Sequence, residues 1–176
     1  VKLMELAAKN ARIRFEQDND KAARHQLAME ELARVLELSD IPKRMECFDN
    51  SHLQGTDTVA AMAVFVDGMP ARAEYRRYKL KEDHGGDDYS AMREVLTRRF
   101  RRALEDGIKP DLLVVDGGRG QLGIALAVLQ DLGVHDQAVV GISKPRTEHK
   151  RGERAATDKL VLPHRKDPIR LRSGHH

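Results

Sequence analysis

Cysteine occurs once in these 176 residues, at Cys47. That excludes an internal disulfide framework and any paired-cysteine metal site. Free cysteine is among the most buried residue types, and Cys47, between Glu46 and Phe48 in a β-type stretch, is expected in the core. Long apolar runs are absent too: none approaches the roughly 18 residues that a membrane-spanning helix needs, so no membrane association is expected. The first residues, Val1-Lys2-Leu3-Met4-Glu5, alternate with charges where a secretory signal would be apolar, which leads to the expectation of a cytoplasmic location. Internal repeats and low-complexity segments are missing. A large excess of one charge is also missing, the formal net charge being only +3.

What is abundant is charge itself, 34% of residues, and its basic part is clustered. Arg98, Arg99, Arg101 and Arg102 fall in one helical stretch, Arg76 and Arg77 in a strand, and Lys144, Arg146, Lys150, Arg151 and Arg154 in a polar loop. Clusters of this kind suit a phosphate backbone.

Residues 1–38 contain neither glycine nor proline, and Leu3, Leu6, Ala7, Leu27, Leu32, Val35 and Leu36 recur at helical spacing. The pattern predicts one long helix, or two divided near Gln17–Asp20, ended by Pro42; residues 1–41 are read as a helical linker and 42–176 as a globular domain. Strands are expected over 43–49, 58–66 and 71–80, with Asp67-Gly68 a hairpin turn between the last two. Asp87 or Asp88 then caps a helix running to about Asp106, with Met92, Val95, Leu96, Phe100, Ala103 and Leu104 as its apolar face. A strand at 111–116, a helix at 121–132 closed by Gly133 and a strand at 138–143 follow. Beyond the polar loop, 159–162 and 169–172 form a small hairpin about Pro163–Pro168.

The stretch 110–123 organises the rest. Leu112-Leu-Val-Val115 is an apolar run that reads as a strand buried on both faces, and it ends in an acid, Asp116, before glycines open a helix. Carboxylates at the strand edges of a layered sheet are where ligands and metal ions meet a protein. Asp49 ends the first strand in the same way, through the turn Asn50-Ser51-His52-Leu53-Gln54-Gly55.

Three antiparallel strands, then helix, strand, helix and strand, with acids ending strands one and four, is the order of the ribonuclease H-like nuclease fold, an α/β architecture with a mixed sheet. In it the first and fourth strands lie side by side, so Asp49 and Asp116 would meet. Paired carboxylates of that kind commonly hold a hard divalent cation, and Mg²⁺ bound by carboxylates and phosphate oxygens serves phosphodiester hydrolysis. Five ordered stretches carry a narrower resemblance: Glu46-Cys-Phe-Asp-Asn-Ser-His-Leu-Gln-Gly55, Tyr75-Arg-Arg-Tyr-Lys79, Gly86-Asp-Asp-Tyr-Ser-Ala-Met92, Pro110 to Leu122, and Gly141-Ile-Ser-Lys144. These resemble the C-terminal endonuclease domain of UvrC, the incision subunit of bacterial nucleotide excision repair.

The resemblance implies a nuclease that makes the 5′ incision in damaged double-stranded DNA with Mg²⁺ or Mn²⁺. UvrB would be its partner, UvrA would act upstream, and the chain would be a monomer without a small-molecule cofactor. By motif, Asp49 and Asp116 become metal-binding catalytic acids and Asp88 a third catalytic acid; a metal-activated water would attack in line, leaving a 3′-hydroxyl and a 5′-phosphate. Arg76, Arg77, Arg119 and Lys144 are candidates for DNA-backbone contacts, and His52, three residues past Asp49, is weighed chiefly as a local hydrogen-bonding group. The family's fourth catalytic position is a histidine in a stretch such as Arg-Asp-Glu-Ala-His. No such stretch occurs here, and His175 and His176 stand in the wrong context, so a fragment is expected. The alternative is thus a truncated DNA-binding and interaction module with little activity. Gly118-Arg-Gly-Gln-Leu-Gly123 also matches a dinucleotide fingerprint, but Asp116 would repel a pyrophosphate and the strand after it ends in Ser143-Lys144, without an acid for the ribose.

Overall fold

The computed structural model describes residues 2–52, 58–80, 87–143 and 158–171. The chain divides into a helical unit ending at Ile41 and an α/β unit that begins at Pro42. The first unit is built on one uninterrupted helix, α1 (Lys2–Val35). It stops well before Pro42. Glu37 takes a left-handed conformation, φ 56°, and Leu38 N donates back to Ala33 O at 2.9 Å, the bond that closes a Schellman-type helix end.

In the second unit the described residues form a mixed eight-stranded sheet from β1 (Arg44–His52), β2 (Thr58–Val66), β3 (Met69–Pro70), β4 (Arg76–Lys79), β5 (Leu112–Asp116), β6 (Ala138–Ser143), β7 (Lys159–Val161) and β8 (Ile169–Arg170). Their order across the sheet is β3-β2-β1-β5-β6-β7-β8, with β4 also paired to β2. β1 runs antiparallel to β2 and parallel to β5, and β5 runs parallel to β6. The hairpin at Asp67-Gly68 forms as the sequence predicts, both residues having positive φ (49° and 74°), as a type I′ turn requires.

Helices α2 (Asp88–Asp106) and α3 (Arg119–Asp131) make the core with one face of this sheet. Alternate residues of the strands, Phe48, Met62, Val64, Leu113, Val115 and Val139, join Met92, Val95, Leu96 and Phe100 of α2 and Leu122, Ala125, Val128 and Leu129 of α3. Each of the larger of these side chains contributes about 1.5–3 kcal/mol through burial. Leu104, expected on this face, is 57% exposed. The buried stripe instead includes Arg99, 7% exposed, which was expected in a phosphate-facing basic cluster. Arg99 is held inside because Nε and Nη2 donate to the fully buried Glu46 carboxylate at 2.8 and 2.7 Å, with a further bond from Nη2 to Ile108 O.

Two strand expectations are corrected. β1 runs on to His52 instead of ending at Asp49, because its antiparallel ladder with β2 continues to the pair His52–Thr58. The expected strand 71–80 is broken: Phe65 pairs with Pro70 but Met62 pairs with Arg76. Three residues back along β2 thus face six forward along its partner, and the three extra are wound into a 3₁₀ turn, Arg72–Glu74.

The parallel pairing of β1 with β5 is clamped at one end by Asp111. Its Oδ2 accepts from the backbone N–H groups of Lys43 and Arg44 at 2.9 and 2.7 Å, and its own N–H donates to Arg44 O at 2.9 Å. From that clamp the two strands advance in step through Met45–Leu112, Glu46–Leu113, Cys47–Val114 and Phe48–Val115.

Candidate active site

Side chains alternate across a strand, so the residues between the core-facing ones look the other way. On β1 these are Cys47 and Asp49, and on β5 they are Val114 and Asp116. The last register pair is Phe48–Val115, so Asp49 and Asp116 are the next residues of two adjacent parallel strands. Asp49 is exposed and Asp116 half-buried. Both line one cavity of about 790 Å³, floored by Cys47, Ala61, Ala63, Val114 and Ile142 and edged by Tyr75, Arg76 and Arg77. Past Asp116 the chain extends the ladder by one bond, Gly117 N to Ile142 O at 2.8 Å, and turns into α3, whose N-cap Gly118 offers no capping side chain.

A second cavity of about 800 Å³ opens at the same strand ends, lined by Tyr89, Arg119, Gln121, Ser143 and Lys159. Asp116 and Ile142 line both cavities. Ser143 and Lys159 are register partners across β6 and β7, which sets them side by side. Tyr89 reaches in from the start of α2. Its ring lies so close to Gly120 that a Cβ there would stand 2.4 Å from the hydroxyl.

A family model described as the UvrC RNase H endonuclease domain matches residues 33–176. The chain belongs to this family. Among its relatives, the UvrABC system protein C of Protochlamydia amoebophila is 40% identical over 172 residues, which cover 98% of this chain and 28% of that protein. The UvrABC system protein C of Chlorobaculum tepidum is 44% identical over 150 residues, 85% of this chain and 22% of that one. The chain therefore spans about a quarter of the length of the curated relatives it matches. Among solved structures, the endonuclease V of Ciona intestinalis in complex with an inosine-containing 24mer DNA aligns at TM-score 0.45 with 16% identity, covering 76% of this chain and 60% of that one. The catalytic domain of human endonuclease V aligns at 0.43 with 20% identity, covering 77% and 60%.

Within this UvrC-family domain the remaining sequence candidates occupy distinct places. Asp87, not Asp88, caps α2: its carboxylate accepts from Tyr89 N at 3.0 Å and from Ser90 Oγ at 2.5 Å. Asp88 is the first residue of the helix, half-buried, and lines neither cavity. Arg76 and Arg77 edge the first cavity. Arg76 Nη1 turns back to Ala73 O and Tyr75 O at 3.0 and 2.9 Å, while Arg77 has no polar partner among the described residues. Arg119 donates from Nη2 to the carbonyls of Arg165 and Lys166, pinning the β7–β8 turn. His52 ends β1 with its side chain outside what is described, and Lys144 lies outside the described residues. Among the described residues, no three His, Cys, Asp or Glu side chains are grouped so as to hold a metal ion. The carboxylates that share a cavity are Asp49 and Asp116, a hard oxygen pair of the kind Mg²⁺ and Mn²⁺ accept.

Cys47 is corrected from core to cavity floor. It sits two residues before Asp49, hence on the same face of β1, a signal that was present in the sequence. Burial, helped by the nearby Glu46 charge, pushes its thiol up to about 11, so it stays protonated at neutral pH. Tyr89, Ser143 and Lys159 were missed because they come from three separate elements whose meeting depends on the strand order.

Proposed function

We propose that this chain is the nuclease module of a DNA-repair excision enzyme, making the 5′ incision beside a lesion in double-stranded DNA, with Mg²⁺ or Mn²⁺ as cofactor and UvrB as the partner that delivers the damaged site. The observation that carries the reading is the side-by-side placement of Asp49 and Asp116 on adjacent parallel strands, lining one cavity edged by arginines. Asp49 and Asp116 would hold the cation. Such a cation supplies charge stabilisation at the phosphate and a water of lowered pKa.

The chain's own residues supply the rest. Arg77 reaches a backbone phosphate next to the one at the carboxylates, while the apolar floor around Val114 and Ile142 excludes water from beneath it. Asp88, released from capping by Asp87, is the third acid, at the start of the helix whose Tyr89 shares a cavity with Asp116. Lys144 and Arg119 extend the backbone contacts. The helical segment 1–41 serves as linker.

The test is Mg²⁺- or Mn²⁺-dependent nicking of a lesion-bearing duplex, with binding measured in parallel. Asp49→Asn and Asp116→Asn should each drop nicking to background while DNA affinity holds within about twofold, since neither carboxylate donates to phosphate. Nicking that survives both substitutions overturns the assignment. A wild-type chain that binds DNA and does not nick points to the binding module instead.

A further inference from the structure

Arg44 belongs to two ion pairs at once. Its Nε donates to Glu46 Oε1 at 2.9 Å, and its Nη1 donates to Glu74 Oε2 at 2.5 Å. Glu46 is in turn gripped by Arg99 from α2. Arg99, Glu46, Arg44 and Glu74 therefore form a row of alternating charges that begins in the core and ends at the surface, where the Glu74 side chain is 43% exposed. Glu74 is the last residue of the extruded 3₁₀ turn, and Tyr75, Arg76 and Arg77 follow it directly along the cavity edge.

The turn is closed by its own short bonds, Glu74 N to Ala71 O at 2.9 Å and Tyr75 N to Arg72 O at 3.3 Å, and Arg76 braces it from the other side. The far end of β4 is fixed separately, where Arg98 donates to Lys79 O at 2.7 Å and lies over the Tyr78 ring. Arg77 stands between these two anchorages. We infer that Glu74 is a positioning residue for the DNA strand: through Arg44 it ties the extruded turn to the buried Glu46–Arg99 pair and so fixes where Arg77 meets the phosphate backbone. This rests on the reading that the cavity edge faces DNA.

Charge alone predicts the opposite behaviour. Removing an acid from a DNA-facing surface lowers repulsion and tightens binding. Positioning predicts weakening.

The experiment is a double-mutant cycle read as the affinity of a fluorescently labelled lesion-bearing duplex over a salt series, without divalent cation so that no cleavage occurs. Arg77→Ala should weaken binding about tenfold, as for a lost charge-assisted contact, and lower the salt slope by about one. Glu74→Ala should weaken it about three- to fivefold, and the double variant should be no weaker than Arg77→Ala alone, the non-additivity of two residues acting through one contact. Glu74→Gln, which keeps an oxygen for Arg44, should recover part of the loss although it too is neutral. Glu74→Ala binding as tightly as wild type, or additive with Arg77→Ala, overturns the inference while leaving the DNA-facing reading intact. Unchanged binding by Arg77→Ala overturns the DNA-facing reading itself, and the inference with it.

Discussion

Glu46→Leu should be the most damaging single substitution in the α/β unit for stability. The carboxylate is fully buried and accepts three hydrogen bonds, two from Arg99 and one from Arg44. Removing it leaves the Arg99 guanidinium, 7% exposed, with Ile108 O as its remaining acceptor. Breaking one side of a buried ion pair costs about 3–5 kcal/mol, chiefly as the penalty of the stranded charge. For a unit of this size that corresponds to a fall in Tm of roughly 10–15 °C. The assay is thermal and urea unfolding of wild type, Glu46→Leu, Arg99→Met and the double variant. Because the stranded charge is the main cost, the double variant should be more stable than Glu46→Leu alone, losing only about 1–3 kcal/mol as an apolar replacement that forfeits the Ile108 bond. A single-variant loss below about 1 kcal/mol, or a double variant as unstable as the two losses added, would refute the reasoning.

Four further outcomes follow from local geometry. Cys47, its thiol pushed from 9.0 up to about 11, should alkylate about a hundredfold more slowly at pH 8 than an unperturbed thiol, the rate rising about tenfold per pH unit toward pH 11; reaction at the ordinary rate would contradict the buried setting. Since the folded state holds this proton more tightly than the unfolded chain, the associated stability is full below about pH 9 and is lost as pH rises through 11, which urea titrations across that window can check. Gly141→Ala would place a Cβ 2.8 Å from the Gly117 backbone carbonyl, beside Asp116, and should cost about 1–3 kcal/mol with a parallel fall in nicking; unchanged denaturation would remove the close approach. Gly120→Ala meets only the Tyr89 side chain, which is 47% exposed and free to swing out, so its stability should change by less than about 1 kcal/mol, with the helix-propensity gain offsetting the contact; a larger loss would mean the ring is fixed.

How far the sequence could be read depended on whether a feature was local. The Asp67-Gly68 turn, the run Leu112–Asp116 and the strand 138–143 were legible because turn chemistry and apolar continuity lie within a few residues. The neighbourhood of Asp49 and Asp116 was legible through the order of elements. The split of the third strand was not: Ala71 to Glu74 alternates as a strand would, and the extrusion appears only when both ends are matched against β2. Arg99 was readable in principle, since it holds the helical position between Leu96 and Ala103 on the core stripe. Its partner Glu46, 53 residues away, gave no sign. Asp111 is one acid among 28 Asp and Glu, and its bonds to backbone groups 67 and 68 positions back leave no mark in a pattern of hydrophobicity.

That clamp makes the site a matter of counting. Asp49 is the fifth residue after Arg44 and Asp116 the fifth after Asp111, so the two carboxylates stand level because two stretches of chain have equal length. Adding or deleting one residue in either stretch turns its carboxylate to the helix-covered face, and a change of two returns it to the right face about 7 Å out of step. Apart from the ion-paired Glu46, substitutions between clamp and carboxylate are a packing question, while length changes there are excluded. The β3–β4 edge obeys the opposite rule, since a turn that already stores three surplus residues can take up or release another without disturbing β2. Heritable variation in chain length should therefore collect at residues 71–73, ahead of the tethered Glu74, and be missing from 44–49 and 111–116.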